Sequence, residues 1–213
     1  MAVCVVTEPV SLQEAALATA TPSSILSRLR FETRGEHDAI EQVLDLMSVS
    51  LTPQGYLHRL EQFYGFYAPL EKALQARELT LSPTTRAALA SRLTKTALLR
   101  QDLQQLGVQA QTLPLCRNLP PLGTHAEVLG CLYVMEGATL GGRMITRHIR
   151  AALGITPITG GSFFEGYGDD TGMMWQGMRQ LLVSGAPDTQ TENTIVSNAM
   201  ATFACLRGWC ELV

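Results

Sequence analysis

Long hydrophobic segments are missing from this chain of 213 residues. A transmembrane helix needs a run of about 18 or more apolar residues, and the sequence contains none, so we expect no membrane partner. The first 22 residues contain no lysine or arginine, whereas a secretory signal requires a positively charged start. We therefore expect residues 1–22 to be a poorly ordered tail and residues 23–213 to form one domain.

Clusters of cysteine and of basic residues are also lacking. The five cysteines are scattered and form no C-x-x-C pair or zinc motif, which is typical of reduced thiols in a cytoplasmic protein. The net charge is −3, and the basic residues are dispersed without interleaved aromatics, so we expect no nucleic-acid partner. Nucleotide-binding and iron–sulfur motifs are absent as well.

Apolar residues, by contrast, make up 46% of the chain and recur at helical spacing. Two helix starts are marked by Thr52-Pro53 and by a capping box, Thr189-x-x-Glu192. Pro69 is expected to kink or end its helix. The sequence predicts an all-α, single compact multi-helix domain without strands, with helices over residues 24–47, 52–76, 82–106, 124–153, 170–183 and from 189 onward.

Three glycines interrupt the helix predicted over residues 124–153. Each glycine within a helix costs roughly 1 kcal/mol relative to alanine. Gly137 and Gly141 are four residues apart, so they share one helix face and leave a groove without side chains. Either a second helix packs into this groove, or a flat ligand lies against the bare backbone. Gly142, the third glycine, is available for a kink.

A histidine interrupts the apolar stripe of the first predicted helix. Position 37 should continue this stripe and carries His37. A histidine on an apolar face is often a satisfied core residue. Opposite a helix with a bare glycine face, it instead indicates a planar ligand whose iron is bound from one side by His37, and haem is the candidate. The other stripe residues are Leu26, Leu29, Thr33, Ile40, Leu44 and Met47.

Both stretches resemble motifs of the haem oxygenases. Residues 29–37 read LRFETRGEH, similar to the proximal-helix motif with its ligand histidine, and residues 137–142 read GATLGG, similar to the distal-helix motif. The sequence of the distal motif is similar to that of bacterial haem oxygenases, including the oxygenases associated with bacterial phytochromes. The resemblance implies a haem-oxygenase-like helical fold with haem b between a proximal helix and a kinked distal helix. It also implies O2- and electron-dependent cleavage of haem to biliverdin, CO and ferrous iron.

The resemblance assigns roles around the iron. His37 would be the axial ligand, and Glu41 would accept a hydrogen bond from its other ring nitrogen, unless Glu41 is an ordinary surface carboxylate. Gly137 and Gly141 would let the distal backbone touch the haem. Many members have an aspartate after the first distal glycine, where this chain has Ala138. Proton delivery would then need other groups: Thr139, Glu136 or a backbone carbonyl, with Glu136 alternatively a surface residue.

Further residues would hold the rim of the haem. Arg30, two helical turns before His37, and Arg179 match the family's basic partners of the propionates. Tyr133, one turn before the first distal glycine, would hydrogen-bond a propionate, and Phe203 would pack against the haem edge. The alternatives are ordinary surface or rim residues for the first three and a plain core residue for Phe203.

An outside electron donor, such as a ferredoxin or a flavin reductase, is implied as a partner. The biliverdin would supply a phytochrome chromophore, or the reaction would serve iron acquisition. A second hypothesis is a haem carrier that does not degrade haem, which Ala138 in place of an acid keeps open. A third is a helical enzyme acting on a thiamin fragment through a nucleophilic cysteine, for which Cys131 is the candidate.

Overall fold

The structure, a computed structural model, describes residues 24–213. This part contains nine α-helices and no strand, so the all-α prediction is confirmed. The expected tail, residues 1–22, lies outside the described residues. The helices are α1 (Ile25–Glu32), α2 (Arg34–Leu44), α3 (Pro53–Ala76), α4 (Pro83–Ala90), α5 (Lys95–Gln105), α6 (His125–Leu153), α7 (Ser162–Glu165), α8 (Thr171–Ser184) and α9 (Thr189–Leu212).

The first predicted helix is two helices, α1 and α2, that meet at Thr33. The Thr33 hydroxyl donates a 2.7 Å hydrogen bond to the Leu29 carbonyl, an interaction that often bends helices. Helix α2 ends at Leu44 because Asp45 has a left-handed backbone with φ of +44°. The prediction of one helix reaching residue 47 was therefore wrong.

The next predicted helices also differ in part. Helix α3 begins at Thr52-Pro53 as expected, and it continues through Pro69 rather than ending there. The helix predicted over residues 82–106 is divided into α4 and α5. The buried Glu71 carboxylate accepts hydrogen bonds from the backbone N–H of Lys95, at 2.8 Å, and of Thr96, at 3.1 Å. Glu71 thus caps the start of α5 from another helix.

Helix α6 forms the centre of the fold and packs along α9. Thr124 and Glu127 form a capping box at its start, and Gly154 ends it with φ of +70°. Gly130 lets the helices approach, because a Cβ there would overlap the Ile195 carbonyl oxygen of α9. The predicted span, residues 124–153, is confirmed.

The buried face of α9 is also confirmed, and its cap is corrected. Asp188, not Thr189, caps the helix: its carboxylate accepts a 2.8 Å hydrogen bond from the Thr191 N–H. None of the helices described from residue 24 onward is long and apolar enough to cross a membrane. The buried residues predicted for α9 are Ile195, Ala199, Phe203, Leu206 and Cys210.

Candidate functional site

A cavity of about 700 Å³ lies between α2, α6 and α9. This volume falls within the range of roughly 300–1,000 Å³ that is usual for ligand pockets. Most of its lining is apolar, with a few polar groups among it. Seven residues predicted for the site line the cavity: His37, Glu41, Tyr133, Gly137, Thr139, Gly141 and Phe203.

His37 is accessible from the cavity. Its side chain is 52% exposed, and its ring meets the Phe203 ring edge-on at 5.8 Å between centroids. The nearest carboxylate oxygens lie 3.7 Å away, on Glu41, and 3.8 Å away, on Asp38, both measured from Nδ1. These distances exceed that of a hydrogen bond. The interpretation of His37 as a satisfied core residue is therefore wrong, and the imidazole remains available to a ligand.

The glycines of α6 have two kinds of surroundings. Among the residues that the structure describes, a Cβ at Gly137 would have no neighbour within 4 Å, and one at Gly141 would meet only the tip of Ile145 at 3.9 Å. A Cβ at Gly142, by contrast, would overlap the Phe164 carbonyl oxygen. Close packing therefore explains Gly142, whereas the groove formed by Gly137 and Gly141 opens into the cavity. A flat ligand can lie against this bare face.

Two predicted arginines lie outside the cavity lining. Arg30 and Arg179 are both exposed. Arg30 is close enough to Tyr133 to act on it: burial raises the pKa of the Tyr133 hydroxyl, while Thr33 and the Arg30 charge act in the opposite direction. The Tyr133 ring also contacts the Trp175 ring at 5.9 Å between centroids.

Sequence reasoning missed a buried cluster of charged and polar residues beside the cavity. Glu136 is 1% exposed, so its interpretation as a surface residue is wrong. Its carboxylate accepts hydrogen bonds from Arg92, from Lys95 Nζ at 2.6 Å and from the Tyr167 hydroxyl at 2.9 Å. We call these four residues the ionic cluster. A signal was present, because Glu136 follows Leu129 and Leu132 on the core face of α6.

Burial perturbs the ionic cluster. It lowers the pKa of the Lys95 ammonium, and the neighbouring Glu136 carboxylate opposes that shift. Burial and Glu136 together raise the pKa of the Tyr167 hydroxyl. Lys95 and Tyr167 also line the cavity, so the cluster reaches the site through these two side chains.

Cys131 does not fit the role of a nucleophile. The thiol is fully buried, and burial raises its pKa to about 12, which disfavours the reactive thiolate. Cys131 does not contribute to the cavity lining either. These findings speak against the hypothesis of an enzyme acting on a thiamin fragment.

Comparisons with known proteins agree with the geometry. A family model described as "Heme oxygenase" matches residues 23–211. Curated proteins gave no match. Among solved structures, the fold is similar to a heme oxygenase from Neisseria meningitidis, solved with NO and CO bound, with a TM-score of 0.70 at 20% identity, covering 90% of this chain and 94% of that one.

A second similar structure is the heme oxygenase from Leptospira interrogans, with a TM-score of 0.62 at 21% identity, covering 89% of this chain and 100% of that one. At these identities the two structures support the fold, and the family model supplies the assignment. It spans both motif helices, which here face each other across one cavity. The chain therefore belongs to the haem oxygenase family and is an enzyme that degrades haem.

Proposed function

We propose that this chain cleaves haem b to biliverdin, CO and ferrous iron in the cavity between α2 and α6. The observation that carries the proposal is the open face of Gly137 and Gly141 in the same cavity as the accessible His37 ring. Haem bound there supplies the iron that activates O2 and the ring that is cleaved. The protein supplies binding, orientation and protons.

His37 is the proposed axial ligand. A metal-bound histidine usually donates its second ring N–H to an acceptor, which fixes its orientation. The Glu41 carboxylate lies 3.7 Å from Nδ1, so a small side-chain rotation would bring it within hydrogen-bond distance. Nε2 would then be the nitrogen that binds iron. Phe203 packs edge-on against the ring and would limit its rotation.

The opposite wall admits the face of the porphyrin. Gly137 and Gly141 place no side chain between the α6 backbone and the cavity. Thr139 is the proposed polar group on this wall. Its hydroxyl donates a 2.6 Å hydrogen bond to the Glu136 carbonyl, so its oxygen can still accept a hydrogen bond from water.

The rim residues would hold the propionates. Arg30 and Arg179 are exposed, and their guanidinium groups would pair with the propionate carboxylates at the mouth of the cavity. Tyr133 lines the cavity near Arg30 and would add a hydrogen bond. These contacts would fix the rotation of the haem in its plane.

The proposed partners follow from the reaction. An external donor, a ferredoxin or a flavin reductase, would supply electrons. A phytochrome would receive the biliverdin, with iron acquisition as the alternative use. We place the reaction in the cytoplasm, in keeping with the four free cysteines of the described residues.

A titration with haemin followed by absorption spectroscopy tests the proposal. A saturable Soret band is expected, and ascorbate with an iron chelator should then convert it into a biliverdin band. His37→Ala should remove or shift the Soret band. His58→Ala, a change at a half-exposed histidine outside the cavity lining, should not.

Two other results would contradict the proposal. A Soret band that persists under reducing conditions would favour the haem carrier, for which the methyl side chain of Ala138 is the supporting observation. If no Soret band forms at all, haem does not bind in the cavity.

A further inference from the structure

The distal wall of the cavity, which residues 137–141 of α6 form, carries few polar groups. Ala138 contributes only a methyl group where a carboxylate would hold water. The ionic cluster lies next to this wall. Two of its members, Lys95 and Tyr167, line the cavity, and a third, Glu136, directly precedes the distal residues 137–142.

Packing holds Tyr167 close to this wall. The preceding Gly166 has φ of +56°, and a Cβ there would lie 3.9 Å from the Thr139 side chain. Two residues earlier, the Phe164 carbonyl fills the space left by Gly142. The turn that carries Tyr167 therefore contacts Thr139 and Gly142, two of the distal residues that follow Ala138.

One lone pair of the Tyr167 oxygen has no donor among the hydrogen bonds of the described residues. Lys95 Nζ has three N–H groups, and all are used: one donates to the Arg92 carbonyl at 3.0 Å, one to Glu136 at 2.6 Å and one to the Tyr167 hydroxyl at 2.6 Å. The Tyr167 O–H donates to Glu136. The Tyr167 oxygen has two lone pairs, of which Lys95 occupies one. The nearby Arg92 guanidinium acts to lower the pKa of Tyr167 but donates its hydrogen bonds to Glu136 and to the Met174 carbonyl, so the second lone pair can accept one from water in the cavity.

The cost of the ionic cluster favours a functional role. Buried ion pairs are often no more stabilising than apolar residues of the same volume. Arg92 and Lys95 face the single carboxylate of Glu136 inside the cluster, and Glu71 lies beside the Lys95 backbone. The buried Arg92 Nε has no hydrogen-bond partner in the described part of the chain, which is a further position for ordered water.

We propose that the Tyr167 hydroxyl, fixed by Lys95 and Glu136, positions the water that delivers protons on the distal side, replacing the side chain that Ala138 lacks. This inference rests on the proposed function. The water donates one hydrogen bond to Tyr167 and directs its second O–H toward the O2 substrate. The transferred proton leaves that O–H and is replaced from solvent, so Tyr167 is a positioning residue that keeps its own proton.

Tyr167→Phe tests the inference, because it deletes one oxygen and keeps the ring. Turnover should fall about tenfold or more, while the dissociation constant for haemin changes less than about threefold. Tyr64→Phe is the matched control: Tyr64 is a buried tyrosine of α3 outside the cavity lining, and its loss of a hydroxyl should change neither value.

The pH titration of the ferric haem complex gives a readout independent of turnover. In the ferric complex the positioned water would donate its second O–H to the water bound at the iron, which favours the deprotonated form of that bound water. Tyr167→Phe removes this support, and the spectral transition should move to higher pH by about half a unit. Lys95→Met removes a cation and should move the transition to higher pH. Lys72→Met changes the other lysine of the chain, which is exposed, and should leave the transition unchanged.

Several results would overturn the inference. Tyr167→Phe with the turnover and spectral transition of the unmodified protein would do so, as would a turnover loss matched by an equal loss of haemin affinity. If Lys95→Met fails to fold, the outcome with Tyr167→Phe decides. An unmodified protein that binds no haemin would overturn the proposed function and this inference together, whereas normal turnover with an unaffected Tyr167→Phe overturns this inference alone.

Discussion

The two halves of α6 have the same helical backbone and opposite surroundings. From Val128 to Glu136, most side chains are buried, and Gly130 is small so that α9 can approach. From Gly137 onward, Gly142 and Ile149 are the buried residues of the helix. Gly130 therefore allows a close helix contact in the first half, whereas Gly137 and Gly141 open a surface to the cavity in the second.

The comparison shows that a glycine cannot be interpreted from its helix alone. What lies opposite decides whether an added methyl group collides with backbone or projects into open space. Substitutions in the first half should therefore lower the stability of the fold. Substitutions at Gly137 or Gly141 in the second half should leave the fold intact and change what the cavity binds.

The largest effect is expected at Glu136, the last buried residue of the first half. Glu136→Gln removes the charge that compensates Arg92 and Lys95, leaving two buried cations. The free energy of unfolding of the ligand-free protein should fall by about 3–5 kcal/mol. Urea unfolding measures it. Arg143→Ala breaks the exposed pair with Asp169 in the second half and should cause no measurable change. Equal effects of both variants would contradict the comparison.

Gly130→Ala should give the next largest effect. The new methyl group would overlap the Ile195 carbonyl, and the helices would have to separate, at a cost of about 2–3 kcal/mol. Urea unfolding again measures the change. The control is Gly208→Ala in α9, where no described residue comes within 4 Å of the added atom, so the protein should be slightly stabilised. A neutral Gly130→Ala would show that α6 and α9 can move apart freely.

Gly137→Ala should raise the stability of the protein, whereas Gly130→Ala should lower it. Open space surrounds the added methyl group, and alanine favours the helix by up to about 1 kcal/mol, so the ligand-free protein should unfold at a higher urea concentration. Haemin should nevertheless bind more weakly, because the methyl group occupies the face against which the porphyrin would lie. Unfolding and haemin titration of the same sample test both parts. Unchanged affinity would show that haem does not approach Gly137.

The smallest effect is expected at His125, the first residue of α6. This histidine is half-buried, and its ring shares a 2.8 Å hydrogen bond with Thr85. Burial lowers its pKa below the ordinary value of 6.5, so the unfolded chain takes up the proton first. Stability should therefore decrease as the pH falls through 6.5.

His125→Gln should reduce this slope, measured as urea midpoints between about pH 5 and 8. His58→Gln, at an exposed histidine of α3, is the control and should keep the slope of the unmodified protein. Identical slopes in all three proteins would exclude His125 as the source.

Helix positions were largely predictable because their signals are local. Thr52 and Pro53 start α3, and Gly154 ends α6, as their backbone preferences require. The errors occur where another part of the chain intervenes. The gap between α4 and α5 coincides with a cap that Glu71 provides from α3, and no local pattern records that contact.

The candidate site divides in the same way. The spacing of Gly137 and Gly141 predicted a bare helix face, and the break in the apolar stripe singled out His37. All three residues line the cavity. The ionic cluster was missed because its members come from distant parts of the chain: Lys95 and Glu136 are 41 residues apart.

The sequence by itself determined most of the helix positions and the apolar faces of the helices, because these properties depend on neighbours within a few positions. The tertiary structure decided that Gly130 faces α9 while Gly137 faces open space, and that Glu136 meets two buried cations. The physical reason is that steric contact and charge pairing act between surfaces brought together only when the helices pack.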